Sequence, residues 1–144
     1  MSDYIIDTEP ITLSGSLIQA KPQVTSLIVV DGFDEKEILK YAGSLEKESK
    51  HILAKSIVQY AKDVGIVLDK VEKFNSITDS GIVGIVNKKN IIIGDEELLR
   101  RAGIHTKDIS KEVQLLLGKG NRVVFMAVNS RCCAVFGIED SIEN

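Results

Sequence analysis

The sequence predicts an α+β fold in which an antiparallel six-stranded sheet is flanked by two helical hairpins, and three observations lead there. The predicted elements run strand, two helices, three strands, two helices, two strands, without the strand–helix alternation of a parallel sheet. Both pairs of helical stripes follow each other at once. Two of the strand pairs are joined by short turn signals, Lys88-Lys89 and Asn129-Ser130. At 144 residues the chain has room for one core. The expected division is an N-terminal extension or first strand over 1–24, a single domain over 25–140 and a short tail over 141–144.

Residues 1–24 hold both prolines, Pro10 and Pro22, which suits an extension or a strand with irregular flanks. TSLIVVDG (25–32) is β-branched and stops at Asp31-Gly32, so it reads as a strand. Over 34–48 the apolar positions Ile38, Leu39, Ala42 and Leu45 form one helical stripe. Ser49 is positioned to cap a second helix whose buried face is Leu53, Ala54, Ile57, Val58, Ala61 and Val64, closed by Gly65. VEKFNSIT (71–78), IVGIVN (82–87) and NIIIG (90–94) read as a meander, the last two joined at Lys88 and Lys89. Asp95 caps a helix with Leu98, Leu99 and Ala102 facing inward. Ile109, Val113, Leu116 and Leu117 mark a fourth helix, ended by Gly118 or Gly120. RVVFMAV (122–128) and RCCAVFGI (131–138) complete a second hairpin.

A formal charge of −3 gives no general attraction for nucleic acid or anionic membranes, so an anionic ligand has to be held locally. No apolar run approaches the roughly 20 residues of a membrane span, and the opening MSDYIID lacks a signal core; no membrane insertion and a cytoplasmic setting are expected. Cys132 and Cys133 are adjacent, so on a strand they face opposite sides and form no disulfide framework; only in a loop are they a candidate reactive or metal-binding pair. His51 and His105 form no metal constellation with them.

The words themselves resemble the nucleotide-binding (N) domain of heavy-metal-transporting P-type ATPases over roughly 24–140. The family's helical hairpin carries a pattern close to S-x-E-x-x-S-E-H-P-L-A-x-A-I. Here Ser44, Glu46, Ser49, His51, Leu53, Ala54 and Ile57 keep its places. A Gly-x-Gly-x-x-Gly turn and a V-G-N-x-x-L segment come next in the family, and Asp79-Ser80-Gly81-Ile82-Val83-Gly84 and Ile93-Gly94-Asp95-Glu96-Glu97-Leu98 stand there. Gly120-Asn121-Arg122-Val123-Val124 and Gly137-Ile138-Glu139-Asp140 resemble the family's closing G-K-T-V-V strand and the strand toward its hinge aspartate.

The resemblance implies a soluble domain that binds ATP, with magnesium carried on the nucleotide, and that positions it without turnover of its own. In the family the phosphoryl-accepting aspartate lies on a separate phosphorylation domain, the implied protein partner. Carried over by position, the nucleotide-binding residues are Glu46, His51, Asp79, Gly81, Gly94 and Asp95. Glutamate and histidine would meet the adenine, the carboxylate accepting from its amine and the imidazole offering a ring and a donor. Glycines would let backbone N–H groups approach the phosphates.

The sequence departs from the pattern at Ile52, where the family has proline, at Asp79, where it has glycine, and at Asp95, where it has asparagine. The two added carboxylates imply weakened binding. Asp7-Thr8-Glu9-Pro10 lacks the residues that follow the family's phosphorylated aspartate, so Asp7 is not expected to accept phosphate. The runner-up is a diverged scaffold with weak or lost nucleotide binding, acting as a protein-interaction or regulatory module. A free-standing phosphatase or kinase lacks a nucleophile with a matched base. Read alone, the Glu–His pair is a solvated corner, Asp79-Ser80-Gly81 a common turn and Gly94-Asp95 a strand end with a helix cap. Lys88 and Lys89 are either solvated or placed to steer a phosphate tail.

Overall fold

Apolar residues alternate along the central strands, so a sheet built from them buries both faces and needs a helical layer on each. The computed structural model describes residues 11–13 and 16–143, and this is what they form. The strands are β1 (Ile11–Leu13), β2 (Ser16–Val29), β3 (Glu72–Ile77), β4 (Gly81–Val86), β5 (Lys89–Gly94), β6 (Arg122–Val128) and β7 (Arg131–Glu143). The helices are α1 (Glu35–Glu46), α2 (Ile52–Asp63), α3 (Glu96–Arg101) and α4 (Ser110–Gly118), the last entered through a 3-10 turn, Lys107–Ile109. All pairing is antiparallel, in the order β1-β2-β7-β6-β5-β4-β3. The expected α+β architecture is the observed one. Six of these strands were legible; β1 is an addition that pairs only with the start of β2.

Along β5 and β6 the two faces separate cleanly. Ile91, Ile93, Met126 and Val128 pack under α1 and α2, while Ile92, Phe125 and Ala127 pack under α3 and α4. Ile38, Leu39, Ala42 and Leu45 are all buried on the first face, as the stripe predicts. Each such side chain contributes roughly 1.5–3 kcal/mol when fully removed from water. Cys133 joins the first face and Cys132 the second. Burial pushes both thiols up, to about 12 and about 11, so neither is a thiolate near neutrality.

Several boundaries differ from the expectations. The strand expected over 25–32 begins at Ser16, and Pro22 falls where β7 alone pairs with β2, where a missing N–H is tolerated. The β4–β5 turn is Asn87-Lys88, both at positive φ (50° and 65°), and Lys89 belongs to β5. That is the geometry of a two-residue hairpin, which favours asparagine at its first position. The cap of α2 is His51 rather than Ser49. Val64, at 51% exposure, and Leu117, at 49%, lie outside the core because the helices end or rotate away there, and Ala102 is likewise exposed at the end of α3. Asp7 and Pro10 lie outside the described residues. Among those described, no helix is long and apolar enough to cross a membrane.

Candidate nucleotide-binding site

The approach of α1 to the sheet sets the site. A Cβ on Gly84 would stand 2.5 Å from Leu45 Cδ1, so only glycine in β4 lets the last turn of α1 sit this close. Ser44, fully buried, accepts a hydrogen bond from the Asp69 N–H at 2.8 Å and ties that turn to the segment leading into β3. Glu46 is therefore delivered to a fixed place at the end of α1. It is 7% exposed, and no described residue offers its carboxyl a hydrogen bond or an ion pair. Burial alone pushes its pKa up to about 8.

Beyond Glu46 the chain turns sharply. The Ser49 N–H donates to the Glu46 carbonyl at 2.9 Å, and Ser49 Oγ accepts from the His51 N–H at 3.1 Å. His51 then caps α2, its Nδ1 accepting from the Leu53 N–H at 3.1 Å. An accepting Nδ1 has no proton, so the neutral ring carries its hydrogen on Nε2 and presents that as a donor. Sequence reasoning assigned the cap to the serine, whose hydroxyl is a common cap acceptor. The serine instead braces the turn before it.

Across from this corner lies the β3–β4 turn. The Ser80 N–H donates to the Ile77 carbonyl at 3.0 Å, with Asp79 at φ +61°, a conformation glycine adopts freely and aspartate tolerates. Gly81 and Gly94 are direct cross-strand partners. A Cβ on Gly81 would meet the Ile93 carbonyl oxygen at 2.1 Å, and one on Gly94 would meet the Ser80 carbonyl oxygen at 2.2 Å. Both glycines are thus required by the closeness of two backbones. The space left by their missing side chains is filled by the opposite strand and by Leu98 rather than left open. The Asp95 N–H donates to the Ser80 carbonyl at 2.9 Å, and Asp95 Oδ1 caps α3 by accepting from the Leu98 N–H at 2.9 Å.

These pieces surround one cavity of about 400 Å³, within the usual range for a small-molecule site. All six sequence-expected residues, Glu46, His51, Asp79, Gly81, Gly94 and Asp95, line it. Sequence reasoning missed Ser49, Ser76, Val123 and Val124. The two valines lay in a segment already singled out by its Gly120–Val124 words, and they add apolar wall from β6. No lysine or arginine lines the cavity. Lys88 and Lys89 stand at the other end of the β4–β5 hairpin, about 17 Å of strand from Gly81. They do not line this cavity. His105 is exposed and lines a separate cavity of about 280 Å³ beside Cys132. No group of three metal-ligating side chains occurs among the described residues.

No family model matches the chain. It is 35% identical over 139 residues to a copper-exporting P-type ATPase of Legionella pneumophila, covering 96% of this chain and 19% of that protein. It is 34% identical over 131 residues to copper-exporting P-type ATPase B of Archaeoglobus fulgidus, covering 90% of this chain and 18% of the relative. The chain thus spans about a fifth of the length of these relatives. Among solved structures, the N-domain of HMA6, a copper-transporting P-type ATPase, superposes with a TM-score of 0.65 at 29% identity, over 82% of this chain and 98% of that one. The catalytic domain of the CPx-ATPase CopB-B, described as changing conformation upon nucleotide binding, gives 0.62 at 27%, over 85% of this chain and 39% of that one. In sequence over nearly its whole length, and in fold, this chain is similar to the N domains of heavy-metal-transporting P-type ATPases.

Proposed function

We propose that this chain binds ATP in the cavity, with the base against Glu46 and His51 and the phosphates toward the Asp79–Gly81 turn and the Gly94–Asp95 junction. Its contribution is positioning: the nucleotide is held for phosphoryl transfer to a carboxylate on a separate phosphorylation domain, and the chain alone does not turn over. The observation that carries this reading is the convergence of all six motif positions, scattered over about 50 residues of sequence, on one cavity. The buried, partnerless carboxyl of Glu46 fits a site that a polar ligand completes. The CopB-B relative's response to nucleotide supports it by homology. A parent machine moving a metal ion, with this domain on the cytosolic side, belongs to the same proposal.

Binding is expected to be weak. A carboxylate within roughly 8 Å of a phosphate charge costs on the order of 1 kcal/mol at an effective dielectric near 40. Asp79 and Asp95 together then weaken ATP by about one to two powers of ten. Magnesium enters on the phosphates, where one or two carboxylates complete its oxygen shell and offset that repulsion. The test is an ATP titration followed by amide and His51 ring signals in NMR. Shifts should cluster on the cavity residues at up to millimolar nucleotide; shifts that are absent or scattered over the surface would refute the reading. The double variant Asp79→Gly, Asp95→Asn should bind ATP at least about tenfold more tightly. No response of that variant would favour a scaffold that has given up nucleotides.

A further inference from the structure

Among the described residues Glu46 is the one buried acid, it has no partner there, and its surroundings decide its charge. From α1 and the corner, Lys47 is turned away onto the Asp69 carbonyl, while Lys50 is exposed and outside the cavity wall. From the start of α2 the titratable side chain in the cavity wall is His51, whose Nδ1 is engaged in accepting from the Leu53 N–H. The β3–β4 turn brings Asp79, and the β5–α3 junction brings Asp95. The strands β4, β5 and β6 offer glycine, isoleucine and valine there. A negative charge on Glu46 therefore finds no lysine or arginine in the cavity wall, and burial alone disfavours it.

We propose that Glu46 reads the base as a neutral carboxylic acid: its carbonyl oxygen accepts from an exocyclic amine while its hydroxyl donates to the adjacent ring nitrogen. This rests on the nucleotide reading above and names the protonation state in which the site takes the adenine edge. A protonated carboxyl carries one donor and one acceptor side by side. The adenine edge presents an N6 amine donor beside the N1 acceptor, so both bonds are made. The guanine edge presents an N1–H donor between the O6 acceptor and the N2 amine donor, so the neutral acid can pair there too, through O6 and N1–H, and sets no preference by itself. Ionised, the group is acceptor-only and the preference turns toward guanine. An ionised carboxylate facing the unprotonated adenine N1 sets two acceptors against each other, enough to cost tenfold or more in affinity. The raised pKa of about 8, caused by burial, places the change of state just above neutrality.

The experiment measures ATP and GTP affinity by calorimetry at pH 7, 8 and 9 and, without nucleotide, follows the Glu46 carboxyl carbon by NMR over the same range. ATP binding should fall about tenfold from pH 7 to pH 9, because the binding-competent protonated fraction falls by that factor through a pKa near 8. GTP, whose N1–H and N2 amine can both donate to the ionised carboxylate, should not weaken, and the Glu46 signal should titrate near pH 8. Glu46→Gln, which carries an acceptor and a donor permanently, should flatten the ATP profile and bind ATP about tenfold more tightly than the unaltered protein at pH 9. A pH dependence that survives in E46Q belongs to another group and overturns the inference. Should that variant misfold, ATP with its N1 replaced by CH makes the same test on the unaltered protein: a loss of about tenfold or more at pH 7 supports the pairing, and equal affinity overturns it. Equal ATP affinity at pH 7 and 9 with Glu46 titrating in the ordinary carboxylate range ends this inference and leaves the nucleotide reading standing. No response to either nucleotide at any pH, with Glu46 still titrating near 8, ends the nucleotide reading and the base pairing with it.

Discussion

The two helical pairs treat their acids in opposite ways. On α3 Asp95 accepts from the Leu98 N–H, Glu96 accepts from Thr106 Oγ at 2.6 Å, and Glu97 pairs with Arg100 and Arg101. Each of these three acids has a partner, and the side chains of Glu97, Arg100 and Arg101 stay in water. Such contacts are worth a few tenths to about 1 kcal/mol each and describe a helix looking after its own end. On α1 Asp34 does the same at the N-terminus, accepting from the Glu37 N–H at 3.0 Å. Glu46, at the other end, is buried against a cavity with nothing to answer it. A polar group placed at a cost to folding marks where the molecule meets something else, whereas a satisfied one does not.

The largest expected effect strikes the seam where the two pairs meet. At Gly81 the Cβ of even an alanine would lie 2.1 Å from a backbone carbonyl oxygen, with Gly94 Cα at 2.7 Å. Neither atom can swing aside without separating β4 from β5 and pulling the Ser80–Asp95 bond apart. Gly81→Ala should lose at least about 3 kcal/mol in urea unfolding. A loss under about 1 kcal/mol would mean that the seam is loose and the cavity wall not fixed by it. Gly103, with open space where its Cβ would be but φ +79°, should lose only about 1 kcal/mol on the same change.

The next effect separates the acids directly. Burial raises the Glu46 pKa from an unfolded value of 4.5 to about 8, so between those values the folded state holds a proton that the unfolded state has released. Stability contributed by the neutral form is complete below pH 4.5, declines as pH rises through the window, and is gone above about 8. The full swing is on the order of a few kcal/mol. Urea unfolding at pH 5, 6.5 and 8 should show the decline in the unaltered protein and lose it in Glu46→Gln, which has no charge to bury. A profile unchanged by the substitution would show that Glu46 is solvated in solution.

Smaller still is the cap on α3. Asp95→Ala should lose about 1 kcal/mol, whereas Asp95→Asn, able to accept the same Leu98 N–H bond, should stay within a few tenths. Together the two separate the structural role of that side chain from its charge, which only the asparagine variant removes while keeping the cap.

Much of this contrast was legible in the sequence, and what was not has identifiable causes. The stripes of α1 and the alternation in β5 and β6 report burial through residue type, which a period reveals. The six cavity residues were legible because each sits in a run of words resembling a known family. The chemistry of Glu46 was not, because its burial depends on Gly84, 38 positions further along, admitting Leu45. The cap on α2 went to the wrong residue for a similar reason. Ser49 and His51 are both able acceptors two residues apart, and only the backbone path decides which N–H each one meets. Gly81 and Gly94 were read as letting backbone N–H groups approach phosphate; that the two strands need them for their own close approach was not legible, because the pairing of positions 13 apart is a matter of register.

That corner also offers the finest test. Ile52 is the first helical residue after the cap, 47% exposed, and its N–H is among the first four that a helix cannot use; no described acceptor takes it. His51, before it, has φ −68° and ψ 144°, the extended conformation that a following proline requires. Ile52→Pro therefore asks for no new backbone geometry and removes conformations from the unfolded chain. It should raise stability by about 0.4–1 kcal/mol, read as a shift of the urea midpoint at constant slope. A destabilised variant would mean that the His51–Leu53 cap is bent in a way that needs the isoleucine. A neutral or stabilised one shows that this corner already holds the backbone that a proline would fix.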